Sequence, residues 1–418
     1  LTKKGVNEKM KNKVYIVDVT NRDGVQTSKI CLSKLQKTML NIYLNEMGVY
    51  QSEIGFPATF HEVNYINANV ELAKMGVLNP IILSGWARAI TADIELATSQ
   101  TAIENLSISI STSNQMIKGK LGTNKEKVIE TMVEALGLAR DKGIKMVGVN
   151  AEDASRTEMG FLIEFAEAAK ENGASRIRYC DTLGYDTPFS IYERANKLGK
   201  EIGLPIELHC HNDLGMAVAC SIGGARGALD AGVDAYINTT VNGIGERAGN
   251  ADLVSVILAF MHGRGMQGYR LADGIDLKMV WETCKYASYT FGIPIPINQP
   301  GVGANAFAHE SGIHADGALK DRRNYELYDY EELGRGEPEI IETGRSITVG
   351  EYSGIRGFRD VYEKLEIEFK DEKEAREILE LVRYANIHNQ KPLTNKELHF
   401  IASYPEIARK LFTMTPGP

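Results

Sequence analysis

Between residues 13 and 240 the chain alternates, eight times over, a short run rich in β-branched residues with a longer amphipathic stretch. The runs are Val14–Val19, Tyr50–Phe56, Ile81–Ser84, Leu106–Ile110, Ile144–Asn150, Arg176–Cys180, Ile206–His211 and Ala235–Thr240. Their length and composition predict buried strands. The stretches between them, such as Lys125–Lys142 and Glu158–Gly173, carry apolar residues at helical spacing over about 12 to 18 positions. Many of these stretches end at a glycine (Gly48, Gly76, Gly143, Gly173, Gly203, Gly232), the residue best suited to the left-handed backbone that stops a helix. Strands separated by helices pair in parallel, because a parallel neighbour is reached only through a crossover. Eight such units in about 230 residues predict a closed (β/α)8 TIM barrel, with an open doubly wound sheet as the alternative.

Past about residue 265 the alternation stops, and a Pro-rich stretch from Gly292 to Gly301 reads as a linker. Helix-prone, charged segments follow at Lys370–Ala385 and Asn395–Leu411. The predicted division is a barrel over 1–275, a connecting segment over 276–330 and a smaller, mostly helical C-terminal region over 331–418.

In such barrels chemistry collects where strands end and helices begin. Those ends hold Asp18 to Gly24, Glu53, Ser84 to Arg88, Ser111 to Asn114, Asn150 to Asp153, Asp181-Thr182, His209 and His211, and the loop Asn238 to Asn250. About half of such groups serve as helix caps. His-x-His on a strand is more telling, because alternate side chains share a face and two imidazoles there can reach one ion. Taken singly, either imidazole reads equally as a hydrogen-bonded strand histidine. The preceding Glu207 and the following Asn212-Asp213 favour metal binding. Asp23, His209, His211 and Asn250 together offer a mixed N/O set that suits Mn²⁺ first, then Co²⁺ or Zn²⁺, and accommodates Mg²⁺. Arg22, next to Asp23, is placed either to stabilise an oxyanion or to form a salt bridge that closes the barrel.

Composition narrows the partners. A net charge of −8 and a pI near 5.7 argue against a nucleic-acid surface. The longest apolar run, Leu253 to Phe260, is too short to cross a bilayer. Five scattered cysteines read as reduced thiols, and the basic, polar N-terminus lacks a secretory core, so a cytoplasmic location is expected.

Four strings, Asp18-Val-Thr-Asn-Arg-Asp-Gly-Val-Gln, His209-Cys-His-Asn-Asp-Leu-Gly-Met-Ala-Val, Asn242-Gly-Ile-Gly-Glu-Arg-Ala-Gly-Asn and Ser311-Gly-Ile-His-Ala-Asp-Gly, occur in this order. They resemble the acyl-CoA-condensing enzymes of the metal-dependent DRE-TIM family, which includes isopropylmalate, homocitrate, citramalate and Re-citrate synthases. The similarity runs from about residue 13 to beyond 355. It implies a divalent metal held by Asp23, His209, His211 and Asn250 that chelates a 2-oxo acid. It further implies Arg22 as the oxyanion or enolate stabiliser and Glu152 as an acid acting with a catalytic histidine. By the same resemblance His314, assisted by Tyr325, helps remove a proton from the methyl group of acetyl-CoA. In relatives these two enter the neighbouring protomer's barrel, so a homodimer with a swapped segment is expected. Gln26, Thr182 and Glu207 are further candidates for substrate binding.

Departures from the family pattern point to the acid. Val25 stands where many relatives carry Glu, and Thr112-Ser113-Asn114-Gln115-Met116-Ile117-Lys118 replaces the Thr-Ser-Asp-x-His-x-Lys of isopropylmalate and homocitrate synthases. The opening string and Ser52-Glu-Ile-Gly-Phe-Pro resemble most the Re-citrate synthases, which join acetyl-CoA to oxaloacetate. Arg88 is a candidate for that acid's second carboxylate. Condensation with 2-oxoglutarate or 2-oxoisovalerate is the alternative within the family; outside it stand an acyl-CoA lyase, against which the His314 segment argues, and a non-catalytic metal-binding barrel. The stretch after Tyr325, about 90 residues, is shorter than the leucine-regulated domain of some relatives, and leucine feedback is not expected.

Overall fold

The computed structural model describes residues 12–266, 269–272, 274–336 and 347–414. Eight parallel strands close on themselves: β1 (Lys13–Asp18), β2 (Gln51–Gly55), β3 (Ile82–Arg88), β4 (Asn105–Ser111), β5 (Met146–Glu152), β6 (Arg176–Asp181), β7 (Ile206–Cys210) and β8 (Ala235–Thr239). Each pairs with the next, and β1 pairs with both β8 and β2, so the sheet is a (β/α)8 barrel and not the open alternative. A two-residue strand, Arg270–Leu271, lies against the start of β1.

Each predicted run contains or overlaps an observed strand, because an apolar run flanked by helices on the outside of a barrel has both faces buried. Gly143 and Gly173 follow their helices at φ 87° and 89°, as their positions predict. The outer faces of the strands pack on the helices. The inner faces are layered and largely polar. At the N-terminal end Tyr15 stacks on Tyr236, with ring centroids 4.5 Å apart, and Tyr50 closes the plug. Above it the guanidinium of Arg176 lies 4.6 Å from the Tyr236 ring, and a buried ionic layer begins.

After the barrel, helix Val280–Phe291 packs on helix Lys34–Glu46, where Tyr286 and Tyr43 rings stack at 4.8 Å. The C-terminal helices Glu372–Asn389, Asn395–Ser403 and Pro405–Phe412 return to the same side. Tyr286 donates to the carboxylate of Glu397 (2.9 Å), and Lys396 sits over the Tyr43 ring. These contacts leave the C-terminal mouth of the barrel open. None of the described helices is long and apolar enough to cross a membrane.

Candidate active site

A cavity of about 240 Å³ opens at the C-terminal ends of the strands. Two loops and one strand end build a corner of it where a carboxylate and two imidazoles meet. After β1 the chain turns tightly around one carbonyl: Val19 O accepts from the N–H groups of Arg22, Asp23 and Gly24 at 3.1, 2.8 and 3.1 Å. Asp18, Thr20 and Asn21 help to hold the turn. Asp18 accepts from Thr20 N and Oγ1 (2.9 and 3.0 Å), and Asn21 donates to Lys37 O and Asn41 Oδ1 (2.8 and 2.9 Å). Arg22 and Asp23 are thereby delivered to the cavity.

From β7 the imidazoles of His209 and His211 arrive on one face, 5% and 6% exposed, with their Nε2 atoms 3.2 Å apart. Asp23 Oδ2 lies 3.6 Å from His209 Nε2. The loop after β8 brings Asn250 alongside, where its Nδ2 donates to Asp23 Oδ1 at 2.8 Å and its oxygen stays buried with no protein partner among the described residues. That loop passes so close that a Cβ on Gly245, at φ 158°, would sit 2.0 Å from Asn250 Nδ2, so only glycine fits.

This donor set fits one cation. With metal–nitrogen bonds of about 2.0–2.1 Å, two ligands at right-angled to tetrahedral geometry sit roughly 2.9–3.4 Å apart, which brackets the imidazole spacing. Asp23, His209 and His211 are a buried cluster whose ligand atoms all lie within 4.8 Å of one another. Their protonation suits the task. Burial and the neighbouring His209 push His211 down to about 3, which leaves a neutral imidazole with a lone pair to offer. Burial would raise Asp23, but Arg22, His209 and His211 outweigh it and hold the carboxylate ionised.

Arg22 makes the salt bridges that are one of the two roles open to it in the sequence. Its Nη1 donates to Asp23 Oδ2 (2.7 Å) and its Nε to Glu53 Oε1 (2.6 Å). The ionic layer continues below. Arg178 Nη2 reaches Glu53 Oε2 at 2.6 Å and Glu207 Oε1 at 2.7 Å, and Arg176 pairs with the other oxygen of Glu207. Burial would raise Glu53, yet Arg178 and Arg22 bring it down to about 2.

Gln26, Thr182 and Glu152 line the cavity as expected. Glu152 is held by Ser111 Oγ and by Lys120 Nζ, which lies 2.7 Å from both carboxylate oxygens. Other expected residues lie elsewhere. Glu207 is fully buried beneath the cavity, where Arg176, Arg178 and Asn238 occupy both its oxygens, so it is a member of the ionic layer and not a cavity-lining group. Arg88, its side chain 58% exposed, forks onto Asp93 (2.8 and 2.8 Å) outside the cavity, because Asp93, in the first turn of the helix Thr91–Gln100 that follows β3, captures it there. His314 and Tyr325 sit side by side, ring centroids 4.3 Å apart, exposed and away from their own chain's cavity.

Trp86, Asn150 and Arg247, which the sequence reading places at strand ends without a role, line the cavity, as does Arg178, which it does not single out. Arg178 had a signal. Arg176-Ile-Arg178 puts two charges on one face of a strand, which is tolerable only in a barrel with a paired polar interior.

An α/β barrel whose open end gathers one carboxylate, two imidazoles and a guanidinium defines a class of barrel enzyme with its chemistry at the strand ends. Residues 13–286 match the HMGL-like family, and residues 302–389 match the homocitrate synthase post-HMGL domain-like family. The chain is 58% identical over 409 residues to a citrate (Re)-synthase of Dehalococcoides mccartyi, covering 97% of this chain and 99% of that one. It is 38% identical to 2-isopropylmalate synthase 2 of Caldanaerobacter subterraneus subsp. tengcongensis, covering 93% and 94%. The hydroxymethylglutaryl-CoA lyase structure from Pseudomonas aeruginosa matches with TM-score 0.56 at 17% identity, covering 68% of this chain and 95% of that one, a likeness of fold alone. The chain belongs to the HMGL-like DRE-TIM family, with the post-barrel domain of homocitrate synthases. It is an enzyme of the condensing acyltransferase type, in a family that is metal-dependent and uses acetyl-CoA.

Proposed function

We propose that this enzyme joins acetyl-CoA to oxaloacetate, giving citrate and free CoA, with a divalent ion held by Asp23, His209, His211 and Asn250. The observation that carries the reading is the buried Asp23–His209–His211 cluster at the cavity wall, in a chain 58% identical to a citrate (Re)-synthase. When bound, such an ion supplies Lewis-acid polarisation of the keto group without any proton movement. Arg22, fixed by Asp23 and Glu53, keeps N–H groups free for the keto oxygen as negative charge builds on it.

His314 takes a proton from the acetyl methyl group, with Tyr325 beside it. The electron pair of the broken C–H bond forms the new bond to the keto carbon, and the keto oxygen gains a proton to become the hydroxyl. Water then cleaves the thioester, releasing CoA and a carboxylate, which makes the sequence effectively irreversible. Glu152, gripped by Ser111 and Lys120, is a fixed acid at the same rim. Because His314 and Tyr325 are exposed outside their own cavity, a second copy supplies them in a homodimer that exchanges this segment. The five cysteines are unpaired, in keeping with action in the cytoplasm.

The test is CoA release by metal-loaded enzyme given acetyl-CoA and a panel of 2-oxo acids. Oxaloacetate is expected to give the highest kcat/KM. A higher value with 2-oxoglutarate or 2-oxoisovalerate would overturn the assignment.

A further inference from the structure

We infer that Arg178 receives the far carboxylate of the 2-oxo acid and so selects a dicarboxylate substrate. This rests on the oxaloacetate reading above. Of the described residues, three arginines line the cavity: Arg22, Arg178 and Arg247. Arg22 is committed at the keto end, to Asp23 and Glu53. Arg247 is committed at the rim, where its Nε and Nη2 grip both oxygens of Asp213 (2.8 and 2.8 Å) and Nη2 also reaches Thr182 O. Arg178 stands between β5 and β7, only 1% exposed, and shares Glu53 Oε1 with Arg22. Its Nε and Nη2 are taken by Glu207, Glu53 and Ser107, but Nη1 makes one long bond, 3.3 Å to Glu53 Oε1. One hydrogen of Nη1 is therefore unspent on the fold, on a side chain that lines the cavity.

Charge points the same way. In the ionic layer and the ligand corner, Arg22, Arg176 and Arg178 are matched by Asp23, Glu53 and Glu207. A divalent ion at the ligand corner adds two positive charges, both poorly solvated. A 2-oxo dicarboxylate cancels both, one carboxylate beside the keto group and the other about two carbons deeper, whereas a monoacid leaves one buried charge without a partner. The adjoining wall is polar too. Ser109 and Asn150 line it, and the buried Asn150 oxygen has no protein partner among the described residues. Among the described residues no Leu, Ile or Val side chain lines the cavity, whose apolar lining comes from Trp86 and Cys180.

The discriminating pair is oxaloacetate and 2-oxobutyrate, which carries a methyl in place of the far carboxylate. Metal-loaded wild type and Arg178→Gln are compared by calorimetric binding of each acid and by kcat/KM. Loss of one charge-assisted contact is expected to lower oxaloacetate affinity and kcat/KM about 100-fold, chiefly through KM, with 2-oxobutyrate changed less than about threefold. Equal losses for both acids would make Arg178 a framework residue and overturn the inference, as would no loss. If Arg178→Gln does not fold, Arg178→Lys decides. A point charge without the fork is expected to weaken oxaloacetate alone by about tenfold, and unchanged binding of both acids overturns the proposal. Failure of the underlying reading shows separately, as wild-type enzyme that does not turn over oxaloacetate.

Discussion

The barrel mouth and the segment from residue 302 to 336 hold histidines in opposite ways. His209 and His211 are buried on a strand, their partners delivered by two loops held by backbone and side-chain hydrogen bonds. His314 lies in the nine-residue helix Gly312–Lys320, which buries no side chain. Around it Ile313, Leu319 and Leu327 are 76%, 89% and 71% exposed. A metal site demands ligands fixed to a few tenths of an ångström before the ion arrives, and a strand end in a closed barrel provides that. A large apolar surface left bare beside a histidine instead marks a site completed by docking. On the proposed function the first region is finished within one chain and the second needs another.

The contrast breaks most readily at the metal. His209→Ala or His211→Ala is expected to lose bound metal and to lower CoA release by about 10⁴-fold or more, with the far-UV circular dichroism unchanged. Chelation of wild type should do the same and be reversed by adding the ion back. Full turnover after complete stripping would remove the basis of the mechanism.

At the other region His314→Ala is expected to lower kcat about 10²- to 10⁴-fold while metal content, measured by atomic emission, stays at the wild-type level. The sharper version mixes subunits. If His314 works in a partner's barrel, a co-expressed pool of His314→Ala and His209→Ala chains regains up to about a quarter of wild-type activity, because half the dimers are hybrids and one of their two sites is whole. A pool as inactive as its parents would place His314 in its own barrel.

The same two regions differ in how far the sequence could be read. Strands and their order are legible because barrel strands are buried on both faces and rich in β-branched residues, and helix ends because Gly143 and Gly173 adopt backbone few other residues tolerate. Asp23, His209, His211 and Asn250 converge because barrel topology brings all strand ends to one rim whatever their separation in sequence. Arg88 and Glu207 were misplaced for a common reason. Period-two alternation says which side chains share a face, but not how high in the barrel each one sits or which carboxylate captures it first. Glu207 shares its face with His209 and His211, yet a position two residues earlier puts it a layer lower, among Arg176 and Arg178. Arg178 is not legible from its own strand, because one strand taken alone does not reveal that Glu53 and Glu207 stand ready to pair with it.

Burial also predicts where pH sensitivity of folding arises. Asp18, on the outer face of β1, is fully buried, and burial lifts its carboxyl from 3.8 to about 7 despite bonds from Thr20. The native state thus keeps a proton that the unfolded chain releases near pH 4. Between about pH 4 and pH 7 the native state binds more protons than the unfolded one, so stability contributed by this group falls as pH rises and is then level. The full loss is on the order of 4 kcal/mol at most. Asp18→Asn should flatten that part of the profile and gain on wild type as pH rises, as measured by urea unfolding at pH 5 and pH 8. An equal difference at both values would assign the titration elsewhere.

The smallest expected effect separates an arginine captured outside the cavity from one that lines it. Arg88 and Arg178 both sit on barrel strands near the mouth, yet only Arg178 lines the cavity. Arg88→Ala removes an exposed guanidinium whose pairing with Asp93 is screened by water, which limits the cost to about 0.5–1 kcal/mol. Asp93 is not stranded by the change, because the backbone N–H of residue 88, 3.1 Å from its Oδ2, remains in the alanine variant. Kinetic constants for both substrates should therefore stay within about twofold of wild type. A tenfold rise in KM for the 2-oxo acid would return Arg88 to the substrate, and would mean that β3 turns its last side chain over the cavity when ligand binds.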